Sequence, residues 1–220
     1  MPPEIWIKNL SKGSAMQLVS FALQKCPTTI RPTWPATKAS ESTPSYHSPM
    51  MYGIEESFSG NSSWRDINKV AFFMWQTQQF FNDTSVLGTF VENHDQPRLW
   101  SLTNDASLTF NGLVTIFQYD GIPILYYGFE QDVGSDGPAD PYNREALWLY
   151  TNYSSTATPT YGRITKLNKL RKYLSTSGHF LTAQSQNVAQ QGSQDLAILR
   201  AGVLTVLTNV RDQCSRDMDF

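Results

Sequence analysis

The sequence predicts an α/β fold followed by an antiparallel β region, and three observations predict it. Two continuous apolar runs, VLGTFV (86–91) and GIPILYYG (121–128), are bounded by turn residues and read as buried parallel strands. Segments of helical length and spacing lie before, between and after them. Beyond Gly178 the texture changes to short alternating runs, DLAILRAG and VLTVLTNV, split at Gly202 as a β-hairpin would be.

Residues 1–25 contain WIKNLSKGSAMQLVSFAL, weakly helical in pattern, and residues 26–49 hold five prolines among many Ser and Thr, an irregular segment. From Pro49, MMYGIEESF and then WRDINKVAFFMWQTQQFF (64–81) have helical spacing. After the first strand, SLTNDASLTFNGLVTIFQYD (101–120) reads as one helix with Asn and Asp near its start. After the second, a Gly/Asp/Pro-rich loop runs to Pro141, REALW opens a short helix, and GRITKLNKLRKYL (162–174) is amphipathic.

Composition narrows the function classes. A chain of 220 residues with 40% hydrophobic content supports a sizeable core. A net charge of −2, with no Lys/Arg stripe, gives no footprint for nucleic acid. No apolar run reaches membrane-span length, and MPPEIWIKN lacks the apolar stretch of a signal peptide. Cys26 and Cys214 either pair or remain free thiols. The pattern Asn-x-Ser/Thr at Asn9, Asn61, Asn82 and Asn152 leans towards a secreted protein, and a secreted protein without a leader is expected to have lost its beginning.

Both strands end in polar or Gly-rich residues. The first runs into ENHDQPR (92–98), which places Glu, Asn, His, Asp and Arg where an apolar strand stops. In α/β barrels catalytic groups sit at the C-terminal ends of strands, so His94 and Asp95 are candidates for a site.

FVENHDQPR (90–98) resembles the seventh-strand motif of the α-amylase family of glycoside hydrolases, GIPILYYGFEQ its eighth strand, and DPYNREALW the segment that opens its final helix. Order and spacing match for all three, and the fungal members are the ones it is most like. The resemblance covers roughly Pro49 to Val210. It implies a partial (β/α)8 TIM barrel, the C-terminal half, followed by the start of an antiparallel β domain. Residues 1–15 would be a remnant of barrel helix four, 49–176 barrel units six to eight, and 177–220 a truncated β domain. The barrel's first half would lie before Met1, and a half barrel with open strand edges is expected to fold poorly alone.

Retaining hydrolysis of a glycosidic bond uses a carboxylate nucleophile and a carboxylic acid about 5 Å apart. The family adds a third carboxylate, which Asp95 matches as transition-state stabiliser. The resemblance makes His94, Asp140 and Arg144 substrate-binding residues, and gives Arg98 and Glu130 to the barrel's supporting ion pairs. Gln96 stands where the family usually has Asn. Tyr126, Tyr127 and Trp148 are read first as core aromatics and second as sugar-stacking ones. Family membership implies an α-glucan substrate such as starch, a secreted and monomeric full-length form, and calcium, whose ligands are not identifiable in this chain. No residue is assigned to a metal.

The family's general acid is a Glu in a Gly-Glu motif ending strand five, and no Gly-Glu occurs in this chain. Residues 16–48 stand in its place. Back-translated and read two bases downstream, AMQLVSF (15–21) permits Tyr-Ala-Val-Gly-Glu, and TPSYHS (43–48) permits a sixth-strand pattern. Residues 16–48 are therefore expected to be a frame-shifted reading, the alternative being a divergent insertion. The expected function is an α-amylase-like retaining glycosidase, present as a fragment lacking nucleophile and general acid. The alternatives are an inactive remnant, a weak carbohydrate-binding domain, or an α-glucosidase or transglycosylase of the same family.

Overall fold

In a computed structural model the chain is described over residues 48–59, 65–134, 142–149, 156–176 and 178–210. Asp140, both cysteines and residues 16–47 lie outside these segments.

Helix α1 (Ser48–Phe58) buries Met50, Ile54 and Phe58, each four residues after the last and so on one face. Helix α2 (Asn68–Phe80) lays Val70, Ala71, Met74 and Thr77 against it. Gly53 permits the approach, because a Cβ there would meet Phe73 Cδ2 at 2.6 Å.

The stretch expected to form one helix divides into α3 (Leu99–Thr103) and α4 (Ala106–Gln118). Asn104 takes a left-handed conformation with φ 46°, and the Asp105 carboxylate accepts hydrogen bonds from the amides of Ser107 and Leu108. An N-cap inside the pattern breaks the helix and starts another. Leu108 through Gln118 are all buried, so α4 is the central element of the core. The Arg171 guanidinium on α5 (Pro159–Ser175) donates to the carbonyls of Phe117 and Gly121, covering the C-terminal end of α4.

Strands β1 (Gly88–Thr89) and β2 (Ile122–Pro123) pair in parallel, as expected, with Gly88 opposite Ile122. They are far shorter than the apolar runs. Val86 falls in a 3-10 turn, and Ile122 is 56% exposed instead of buried on both faces. Each strand has only the other as partner among the described residues, so only the segment between the Ile122→Leu87 and Ile124→Thr89 amide–carbonyl bonds is fixed as ladder.

The β region is a three-stranded antiparallel sheet in the order β3 (Gln186–Gln191), β4 (Asp195–Arg200), β5 (Val203–Thr208). The β4–β5 hairpin turns at Ala201 and Gly202, both at positive φ (47° and 80°), as its tight turn requires. Strand β3, QNVAQQ, was not expected, because its polar composition carries no alternation. Leu196, Ile198 and Leu207 share one hydrophobic cluster with α1, α2, α4 and α5, so sheet and helices are built on a common core.

Candidate active site

The chain leaves β1 through Phe90, Val91 and Glu92, all buried, and then turns outward. The Asn93 Oδ1 accepts the Asp95 amide at 2.8 Å, an Asx turn that sets His94 and Asp95 on the surface. The loop closes on Glu92, whose Oε1 accepts from Arg98 Nη1 (2.9 Å) and whose Oε2 accepts the Leu99 amide (2.7 Å) at the start of α3.

Arg98 is fully buried and links the two strand ends. Besides Glu92 it donates through Nε and Nη2 to Glu145 Oε2 (3.0 and 2.8 Å) and through Nη1 to the Tyr127 carbonyl (2.6 Å). Its guanidinium carbon lies 4.3 Å from the centre of the Tyr126 ring and 4.9 Å from that of Tyr127. Burial pushes the Glu92 carboxyl up to about 7, against the pull of Arg98 and the Leu99 amide. Burial also opposes the charge on Arg98, but Glu92 and Glu145 outweigh it and hold its pKa above the ordinary value. The two partners pull in opposite senses: the burial of Glu92 favours its neutral form, whereas Arg98 and the Leu99 amide favour the carboxylate. The upward direction prevails for Glu92, because a carboxylate with almost no solvent contact loses its hydration outright.

The loop after β2 returns to this frame. Asn143 is buried and donates from Nδ2 to the carbonyls of His94 (2.8 Å) and Gln96 (2.7 Å). Arg144 donates from Nε to the His94 carbonyl (3.0 Å) and from Nη2 to Asp95 Oδ1 (3.2 Å). The other Asp95 oxygen faces His94 Nε2 at 3.3 Å. An exposed carboxylate thus stands between an imidazole and a guanidinium, on a turn held by buried charge pairs.

Three of the four predicted site residues, His94, Asp95 and Arg144, are brought together; Asp140 lies outside the described residues. Arg98 has the supporting role expected of it, but its partners are Glu92 and Glu145. Glu130 instead lies in a 3-10 turn, where its backbone carbonyl accepts from Thr158. Gln96 enters the network through its carbonyl, so the departure from Asn leaves that bond intact. Trp148 is 78% exposed and is no core residue, because the 3-10 turn Leu147–Leu149 buries none of its side chains. Sequence reasoning missed Glu92, Asn143 and Glu145. A charged residue closing an apolar run was a signal for the first; nothing local marks the other two, whose partners are some 47 residues away.

Among the described residues no group of three or more His, Cys, Asp or Glu side chains could hold a metal ion. The carboxylates of Glu92 and the largely buried Glu145 are both engaged by the Arg98 guanidinium. No helix among the described residues is long and apolar enough to cross a membrane.

A strand-end His-Asp pair with an Arg from the next loop, all on the C-terminal side of parallel strands, is an arrangement of barrel-type glycoside hydrolases. Residues 31–178 match the α-amylase family, "Alpha amylase, catalytic domain", and the chain belongs to that family. It is similar to Alpha-amylase 1 of Schwanniomyces occidentalis, 34% identical in an alignment of 180 residues that covers 70% of this chain and 34% of that protein. It is also similar to Alpha-amylase 1 of Lipomyces kononenkoae, 52% identical over 91 residues, 41% of this chain and 14% of that protein. Among solved structures it resembles an α-amylase from Malbranchea cinnamomea, with a TM-score of 0.69 and 35% identity over 76% of this chain and 34% of that one. The fold is accordingly of the TIM-barrel type of these enzymes, and the relatives named are α-amylases. It spans about a third of the length of the curated relatives that match it over most of its own length.

Proposed function

We propose that this chain carries the third carboxylate and part of the sugar-binding surface of a retaining glycosidase acting on starch and related α-1,4-glucans. The observation that supports this best is the geometry of Asp95: exposed, flanked by His94 Nε2 and Arg144 Nη2, and seated on the buried Glu92–Arg98–Glu145 frame. A fixed negative charge beside a developing oxocarbenium ion stabilises the transition state more than the ground state. His94 and Arg144 donate to sugar hydroxyls and hold the Asp95 carboxylate in orientation, and Asp140 adds a further substrate contact. In this reading residues 49–176 form barrel units six to eight, 177–220 open the β domain, 1–15 belong to barrel helix four, and 16–48 are the frame-shifted segment. Secretion, a monomeric state and calcium binding are carried over from the family resemblance.

The 220-residue polypeptide holds no counterpart of the family's nucleophile or of its Gly-Glu general acid. By itself it is therefore a weak oligosaccharide binder without turnover. The test is a chimera that joins residues 49–220 to the preceding part of a fungal relative. Asp95→Asn should remove nearly all starch hydrolysis while leaving the melting temperature unchanged; near-normal turnover in that variant would refute the assignment. Reducing-sugar release by the 220-residue polypeptide alone, abolished by Asp95→Ala, would refute the non-catalytic reading of the isolated chain.

A further inference from the structure

Helix α2 ends in exposed aromatic residues that the site does not use. Phe80 is 64% and Phe81 37% exposed, and Val86 just beyond is 61% exposed. Apolar surface of this kind on a folded protein calls for a cover. Between these residues stands Asn82, exposed, in the pattern Asn82-Asp83-Thr84. Phe81 and Asp83 on either side of it are both extended, so the Asn82 side chain projects from a short open segment between the helix and a 3-10 turn.

We propose that Asn82 carries an N-linked oligosaccharide whose first sugars lie over Phe80 and Phe81. The apolar face of a pyranose ring packs on an aromatic ring, and Phe80 stands two residues before the acceptor, within reach of the first sugar. In the modification, the side-chain amide nitrogen of Asn82 attacks the anomeric carbon of a lipid-diphosphate-linked oligosaccharide. The C–N bond forms as the C–O bond to the diphosphate breaks, the lipid diphosphate leaves, and the amide gives up one proton to a base.

The structure also orders this step in time. Thr84, which supplies the hydroxyl of the pattern, is buried, and its Oγ1 donates to Asp120 Oδ2 at 2.7 Å. Asp120 in turn accepts from the Ser185 amide and hydroxyl, tying the segment to the start of β3. Once these bonds form the hydroxyl is out of reach, so the oligosaccharide is added to the unfolded chain. The inference depends on this surface alone and stands or falls independently of the glycosidase reading.

The test expresses the full chain behind a cleavable secretory leader in yeast and analyses membrane-bound and secreted material by peptide mass mapping, before and after peptide N-glycosidase. The expected result is a glycosylated peptide spanning Asn82, lost in Asn82→Gln and Thr84→Ala and kept in Thr84→Ser. An unmodified Asn82 in leader-cleaved chain overturns the site. Hydroxyl-radical footprinting should then show less oxidation of Phe80 and Phe81 in the glycosylated chain than in Asn82→Gln; equal oxidation overturns the covering role. The folded chimera of residues 49–220 should not be an acceptor for the transferase in vitro, and efficient transfer to it overturns the ordering.

Discussion

Replacing Arg98 by methionine tests the frame beneath the site. Arg98→Met keeps an unbranched stem beside Tyr126 and Tyr127 but removes the guanidinium donors to Glu92, Glu145 and the Tyr127 carbonyl, leaving Glu92 only the Leu99 amide. Removing one partner of a buried ion pair typically costs about 3–5 kcal/mol. Here a single cation serves two buried carboxylates, so the upper end, about 4–5 kcal/mol, is expected at pH 8. That is a large share of the roughly 5–15 kcal/mol that holds a domain folded. The loss should depend on pH. Glu92 titrates near 7 when folded and near 4.5 when unfolded, so between these values the native state holds a proton that the unfolded chain has released. Its contribution to stability is greatest at acid pH and is lost as pH rises through 7. Without Arg98 the folded value moves higher still, and the deficit of the variant should widen from pH 5.5 to pH 8. Urea unfolding of the chimera, followed by tryptophan fluorescence at both pH values, measures it. A deficit below about 1 kcal/mol, the range of surface pairs, would refute the reasoning, and so would one that does not change with pH. If Arg98→Met does not fold, Arg98→Lys should still give a measurable deficit, since an ammonium cannot make the paired contacts of the guanidinium.

Other expectations are read in the same chimera. His94→Ala should lower kcat/KM on maltooligosaccharides about 5- to 150-fold, equivalent to about 1–3 kcal/mol, because it deletes one donor to the sugar; unchanged kinetics would remove His94 from the site. Asp105→Ala removes the cap that divides α3 from α4 and should cost about 0.5–2 kcal/mol in urea unfolding, with activity per folded molecule unaffected. Gly121→Ala should cost more than an ordinary surface change, about 1–3 kcal/mol. Its φ is +88°, and a Cβ would collide with the Leu87 carbonyl oxygen, next to the β1–β2 ladder. Full stability in that variant would contradict the close strand approach.

Much of this protein was legible in its sequence because the deciding forces there are local. Apolar spacing marked α1, α2, α4 and α5, the Ala-Gly pair marked the β4–β5 turn, and a polar cluster ending an apolar run marked His94 and Asp95. Local chemistry was also enough to break a helix: the Asp105 cap that divides 101–120 is visible in sequence, although the Asn104 conformation that completes the break is not. Tertiary structure decided the rest, wherever a residue's partner is distant in the chain. It made Glu92 and Glu145 the partners of Arg98 and brought Asn143 to the His94 carbonyl. It also set Ile122 and Trp148 outside the core despite their apolar character and drew the polar β3 into a sheet by pairing it with β4. A buried charge is tolerated only when its counter-charge arrives, and a polar strand persists only when another strand takes its hydrogen bonds. Both conditions are met by chain closure over long separations, which no periodicity or motif in one segment records.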